Sequence, residues 1–199
     1  MGSAPFKSSR GRVKVALEAQ ERELLARLMD DVVGLLTENE QTSAEAASIS
    51  PGESDWAVLE AALSAPPPKD PAVARLLPDG NRQDPELAQG FRRLTEHGLR
   101  ERKRGGLSLA ATALRRPEPV VLDQAEAGAL LKGMTDVRLV VAERLGLRTD
   151  EDAERLHDAL RDAAHRAARG EQVDEDWIGA AAIYDALTWW QESLVSALR

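Results

Sequence analysis

The stretch that decides the fold is residues 12–36, RVKVALEAQERELLARLMDDVVGLL, where the spacing of the apolar residues changes partway along. At its start, apolar and charged residues alternate, which places Val13, Val15 and Leu17 on one side of a β-strand. From Leu17 onward, apolar residues recur at spacings of three, four and seven, which predicts an amphipathic helix near residues 18–38. The chain therefore begins as a strand and continues as a helix with one buried face.

Working outward from this stretch, alternation over residues 4–17 predicts a hairpin that turns at Ser9, Arg10 and Gly11. The apolar run at residues 120–122 is suited to a third strand. Helical periodicity predicts further helices at residues 54–65, 85–113, 123–145, 150–169 and 174–198. The expected fold is mainly α, a helical bundle with a small antiparallel β-hairpin or three-stranded sheet near the N-terminus.

Composition predicts where this bundle is interrupted. A length of 199 residues is typical of one domain, so residues 1–199 are expected to form a single domain. Residues 38–54 are rich in Ser, Ala, Glu and Asn and bury too little apolar surface to offset their ordering entropy, which predicts a mobile loop. Gly105 and Gly106 predict a break within the helix at 85–113.

Bulk properties exclude several classes of function. The net charge of -8 opposes a general affinity for nucleic acid or anionic membranes. The absence of cysteine excludes disulfides, thiolate metal sites and cysteine redox switches. Neither a leader nor an uninterrupted apolar run of about 18 residues is present, so no membrane attachment and a cytoplasmic location are expected.

The residue patterns that support catalysis are also missing. His157 and His165 are eight residues apart on a predicted helix, which separates them too far to share a metal ion. No glycine-rich loop follows a strand, and no serine lies in a nucleophile pattern. We therefore expect no metal, no cofactor and no enzymatic activity. A hydrolase or proteolysis-linked adaptor whose site is dispersed along the chain is the alternative from another class.

One basic segment lies between Arg92 and Arg104, where six basic residues accompany two acidic ones. As a functional surface it would grip phosphates or an acidic protein, and DNA is a weakly supported partner. Alternatively, its arginines line a solvated helix face and pair with nearby carboxylates. The candidate partner-binding residues are Arg92, Arg100, Arg102, Lys103 and Arg104.

A polar cluster interrupts the apolar helix at 123–145. Asp136 and Arg138 are too close in sequence to face each other on a helix, so each needs a partner from elsewhere if it is buried. Arg93 and Glu96 are the candidate partners. A buried ionic network that fixes helix register is the preferred interpretation, and a ligand site is the alternative.

The last helix, at 174–198, carries two apolar stripes, so two of its sides should be buried. Such a helix lies at the centre of a bundle, or it covers the core with one stripe and a second subunit with the other. In the second case the protein is a structural homodimer subunit, with Trp190 and Leu194 at the interface.

Three separated segments carry a resemblance to a known family. They are DPAVARLLPD at 70–79 with FRRLTE at 91–96, TDVRL at 135–139 running to RLG at 144–146, and YDALTWWQESL at 184–194. In order and spacing they resemble the actinobacterial AosR-like proteins, long described as a domain of unknown function. The chain departs from that pattern at Gly80, Asn81 and Gly90.

The resemblance implies a transcription regulator of the oxidative stress response. Such a regulator binds a sigma factor or promoter complex and raises the expression of non-canonical cysteine synthesis genes, and its genes often lie beside a proteolysis adaptor of the ClpS type. The switch of the characterised branch is attributed to a cysteine pair, which this chain lacks. The expected function is therefore non-enzymatic regulation through a protein partner, without the cysteine switch.

Overall fold

The computed structural model describes residues 4–46, 68–78 and 85–199, with the backbone alone at 39–46, 85–94 and 150. The elements are β1 (Phe6–Ser9), β2 (Arg12–Val15), α1 (Ala19–Ala46), α2 (Pro71–Leu76), α3 (Pro85–Leu114), β3 (Val121–Leu122), α4 (Gln124–Arg144), α5 (Asp150–Ala168) and α6 (Glu175–Leu198). The predicted mainly helical fold with an N-terminal three-stranded antiparallel sheet is confirmed.

The sheet has the order β1-β2-β3, and both strand pairs are antiparallel. Arg10 and Gly11 form the hairpin turn with φ angles of 50° and 76°. Two successive positive φ angles give a turn whose twist matches that of the flanking strands, and glycine adopts this conformation without strain. Phe6 faces Val15 across the hairpin, and their buried side chains direct one face of the sheet to the core.

The core lies between this face of the sheet and helices α1, α3, α4 and α6. Its fully buried large side chains are Phe6, Leu25, Met29, Leu36, Leu76, Leu107, Leu114, Leu122, Leu130, Met134, Leu187 and Leu194. At Gly133 in α4, a Cβ atom would lie 2.9 Å from the Cε of Met29. The glycine therefore lets α4 approach the side chains of α1 more closely than any larger residue would.

The predicted loop at residues 38–54 and the predicted break at Gly105 both need correction. The loop predicted at residues 38–54 is helical as far as Ala46, where α1 ends, because Glu, Gln and Ala have good helix propensity. Residues 47–54 lie outside the described residues, as does the helix predicted at 54–65. No break occurs at Gly105, because one glycine costs a helix only about 1 kcal/mol and burial of Leu107, Ala110 and Leu114 on the same helix outweighs that cost.

Both apolar stripes of α6 pack against other elements of this chain. One side packs against α4 and β1, and α5 covers another side with its buried Leu156. Helix α5 lies on the outside, where charged residues occupy most of its surface. None of the helices described here combines the length and the apolar character that crossing a bilayer requires.

Candidate functional site

The basic segment of α3 divides into buried and exposed cations. Arg100 is only 3% exposed, and its Nη1 donates a hydrogen bond to the carbonyl oxygen of Leu36 at 2.9 Å. Its Nε and Nη2 donate to one oxygen of Glu96 at 3.0 and 2.6 Å. The bond to Leu36 joins α3 to α1, whereas the bonds to Glu96 lie within α3. Arg100 is therefore a structural residue, and its predicted place on a partner-binding surface is wrong.

Lys103 crosses from α3 to α4, where its Nζ lies 2.6 Å from a carboxylate oxygen of the buried Asp136. Arg104 pairs with Glu101 and also donates a hydrogen bond to the hydroxyl of Thr37 at 3.4 Å. Both cations are partly buried and already bonded within the chain. They contribute positive potential to the surface without being fully available to a partner.

Arg102 differs from its neighbours, because it is exposed and forms no ion pair in the part of the chain that the structure describes. The backbone position of Arg92 lies in α3, but its side chain is outside the description. Among the candidate partner-binding side chains that are described, Arg102 is thus the exposed one.

Arg102 and Lys103 border a cleft between α3 and α4, which we call the α3–α4 cleft. Its volume is about 390 Å³, and its lining residues are Leu99, Arg102, Lys103, Gly106, Leu107, Ala129, Lys132, Gly133, Thr135 and Asp136. Lys132 is exposed and, like Arg102, forms no ion pair with a described residue. Three cations therefore surround a single carboxylate, which already bonds Lys103. The cleft combines an apolar floor with a positive rim.

The polar cluster of α4 has partners other than those predicted. Arg138 donates a hydrogen bond from Nη1 to the side-chain oxygen of Gln191 at 2.6 Å, and its Nη2 lies 3.4 Å from the hydroxyl of Tyr184. Its guanidinium carbon is 5.2 Å from the centre of the Tyr184 ring. Gln191 in turn donates to the hydroxyl of Thr135 at 2.8 Å. Arg138 is thus held by α6 through neutral groups.

The prediction that Glu96 is a partner within this cluster is wrong. Asp136 pairs with Lys103, Arg138 binds α6, and Glu96 accepts bonds from Arg100. The side chain of Arg93 lies outside the described residues. Sequence spacing missed Lys103 because Asp136 and its partner are 33 residues apart on different helices.

Helix α2 is tied to the C-terminal end of α4 by two further ion pairs. Arg75 Nε lies 2.8 Å from Glu143, and Arg144 lies 2.6 Å from Asp70, the N-cap residue of α2. Partial burial alone would raise the pKa of Asp70. Hydrogen bonds from Arg144 and from the backbone N–H of Ala72 outweigh that effect, so the pKa lies below its ordinary value.

The segments quoted for the family resemblance meet in this region. Residues 70–79 provide α2, residues 135–146 provide the second half of α4, and residues 184–194 provide the part of α6 that binds Arg138. The chain separations of 46 to 74 residues in these contacts explain why sequence spacing did not pair them.

The predicted dimer residues are buried inside this chain. Trp190 is 4% exposed and Leu194 is fully buried, so neither is available to a second subunit. The neighbouring Trp189 is 47% exposed and borders a groove beside β1. Helical geometry turns adjacent residues about 100° apart, which is why the buried Trp190 has an exposed neighbour.

In the described part of the chain, no three His, Asp or Glu side chains come together in a way that could hold a metal ion. His157 Nε2 lies 3.4 Å from Asp185 and links α5 to α6, with both side chains largely exposed. Several described carboxylates, Glu143 and Asp70 among them, pair with arginines instead.

The chain was compared with protein families, curated proteins and solved structures. The model of a family described as a domain of unknown function (DUF2017) matches residues 3–198. No curated protein and no solved structure matches the chain.

Proposed function

Because the chain belongs to the DUF2017 family, whose description assigns no activity, we propose from its own geometry that it is a non-enzymatic regulator that binds an acidic protein surface. The observation that supports this proposal is the rim of the α3–α4 cleft, where the exposed Arg102 and Lys132 have no carboxylate partner among the described residues. An acidic side chain of a partner would complete these pairs, while apolar groups of the same partner would cover the cleft floor.

The charge distribution favours an acidic protein over DNA. The whole chain carries a net charge of -8, so long-range repulsion opposes a polyanion that extends far beyond the cleft. A protein with a local acidic patch is repelled less, because screening limits each interaction to about 8–10 Å at ordinary ionic strength. The positive rim therefore selects partners by local complementarity.

Because this chain resembles AosR-like proteins, we propose that its partner is a sigma factor or another component of the transcription complex in the oxidative stress response. Regulation here must proceed without a cysteine switch, since the chain contains no cysteine. A cytoplasmic location in an actinobacterium follows from the same proposal.

The test is a charge reversal with a matched control. The variant Arg102→Glu/Lys132→Glu reverses both rim cations, and the control Lys7→Glu/Lys14→Glu reverses two exposed lysines of the sheet by the same total charge. Purified sigma factors of the source organism are titrated against each protein, with promoter DNA in a parallel titration. We expect the rim variant to weaken sigma-factor binding by at least about tenfold, and the control to change it little.

Two outcomes contradict the proposal. If the rim variant and the sheet control weaken binding equally, net charge rather than the cleft determines affinity. If the rim variant loses DNA binding while sigma-factor binding is unchanged, the cleft is a nucleic-acid contact. Thermal unfolding of all three proteins checks that the substitutions, which lie on exposed side chains, leave the fold intact.

A further inference from the structure

Arg138 is a half-buried cation that has no counterion among the described residues. Its hydrogen-bond partners, Gln191 and Tyr184, are both neutral, and its buried Nε has no hydrogen-bond partner in the part of the chain that the structure describes. No described carboxylate pairs with it, whereas the buried or half-buried Arg22, Arg75 and Arg100 each pair with a glutamate. Removing a charged group from water is costly unless an opposite charge compensates for it. The charge balance at Arg138 is therefore incomplete.

A pocket opens beside this guanidinium, which we call the Arg138 pocket. Its volume is about 260 Å³, and it lies where α2, α4, α6 and the start of α5 meet. Three of its lining residues are arginines, Arg75, Arg138 and Arg148, and none is acidic. Thr135, Thr149 and Tyr184 add hydroxyl groups, while Leu139 and Leu147 provide an apolar wall.

The arginines differ in how far they are already neutralised. Arg75 pairs with Glu143 at 2.8 Å, and the same glutamate lies 3.8 Å from Arg148. Arg148 is 75% exposed, so this longer contact holds its side chain only weakly. One glutamate thus serves two arginines, and Arg138 has none. The pocket therefore carries an excess of positive charge that the described groups around it do not balance.

Side chains rather than helix N–H groups supply the donors of this pocket. The backbone N–H groups of Arg148 and Thr149 both donate to the carboxylate of Asp152 at 2.9 Å, which completes the capping of α5. A ligand would therefore meet the guanidinium groups and hydroxyls. Arginine binds carboxylate and phosphate oxygens in a bidentate manner, which suits such a ligand.

We propose that the Arg138 pocket binds a small oxyanion, a carboxylate or phosphate group of a low-molecular-weight ligand, with Arg138 as its main counterion and Arg148 closing over it. The volume excludes a folded partner and accommodates a small metabolite. The site shares Thr135 with the α3–α4 cleft, but its arginines are different ones, and it does not depend on the proposed function. A ligand bound there would contact four helices, α2, α4, α5 and α6, at once.

The experiment is isothermal titration calorimetry of the full chain with inorganic phosphate and, separately, with succinate, at constant ionic strength maintained with sodium chloride. The two probes distinguish a phosphate ligand from a carboxylate ligand, and saturable binding of either supports the proposal. We expect Arg138→Gln to weaken that binding by at least about tenfold and Arg148→Ala to weaken it by a smaller factor.

Arg155→Ala is the matched control, because Arg155 is another exposed arginine on α5 that does not line the pocket. If Arg138→Gln fails to fold, Arg148→Ala retains the test, since its exposed side chain has little structural role. The proposal is overturned if neither probe binds saturably to the wild-type chain, or if Arg155→Ala weakens binding as much as Arg148→Ala does. Either result leaves the sigma-factor test unaffected.

A second readout detects the contact itself. With isotopically labelled arginine, the Nε–H resonance of Arg138 should shift on titration, because this buried group gains a hydrogen-bond acceptor or a changed field. The Arg155 resonance is the internal control. A shift at Arg155 without one at Arg138 would assign the bound anion to the surface instead.

Discussion

Replacing Arg100 by methionine separates a structural arginine from a functional one two residues away. Methionine keeps the length and helix propensity of the side chain and removes only the guanidinium. The carbonyl oxygen of Leu36 then loses its buried donor, and Glu96, whose side chain is 22% exposed, loses its charged partner. The Leu36 carbonyl keeps its helical hydrogen bond within α1, so the loss comes from the charge-assisted bonds of the guanidinium, which contribute about 1.5–3 kcal/mol each. We expect the free energy of unfolding to fall by about 3 kcal/mol.

Urea unfolding followed by circular dichroism measures this loss. With a slope of about 2 kcal/mol per molar urea, a loss of about 3 kcal/mol lowers the midpoint by roughly 1.5 M. The control is Arg102→Met on the same helix, which removes an exposed guanidinium without an ion pair and should change the free energy of unfolding by less than about 0.5 kcal/mol. Equal midpoints for the two variants would refute the assignment of Arg100 to the interior.

Two further predictions concern glycine packing and acid stability. Gly128→Ala adds a methyl group with no neighbouring atom within 4 Å, and we expect urea unfolding to show a gain of about 0.5–1 kcal/mol. Gly133→Ala must displace the buried Met29 methyl, so its free energy of unfolding should lie about 1–3 kcal/mol below that of Gly128→Ala, and equal values would contradict this contact. Because Arg144 helps to lower the folded-state pKa of Asp70, the carboxylate stabilises the fold above its unfolded pKa, and this contribution is lost as the pH falls below about 4. Melting temperatures of Asp70→Asn should therefore decline less than those of the wild type over that range, and parallel declines would exclude this contribution.

The elements of the fold were largely predictable because they depend on local spacing. Alternation over residues 4–17 and the turn at Gly11 give the hairpin, and apolar residues at helical intervals give the helices. The extension of α1 to Ala46 was missed because a polar segment with good helix propensity has no apolar stripe to reveal it. The break predicted at the glycines of α3 was wrong because glycine costs a helix little free energy compared with the stabilisation that α3 gains from its tertiary contacts.

The candidate sites were less predictable, since their chemistry depends on which side chain of a basic or polar run faces the interior. Arg100 and Arg102 are two residues apart and therefore point to different sides of α3, one buried against Leu36 and one exposed at the cleft. The amino-acid sequence alone does not distinguish these two arginines. Only the position of α1 determines which of the two is bonded, and that position depends on contacts between distant segments.

The isolated charge of Arg138 is likewise a property of the fold and not of the local sequence. On its helix, Asp136 and Arg138 look like a balanced pair, yet their directions differ, so α3 neutralises Asp136 while α6 offers Arg138 only an amide and a phenol. Burying a guanidinium without an opposite charge beside it lowers the stability of the fold. An acidic residue on α6 in place of Gln191 would have satisfied Arg138 permanently. Because a neutral residue stands there, the charge remains available to an anion that can enter and leave.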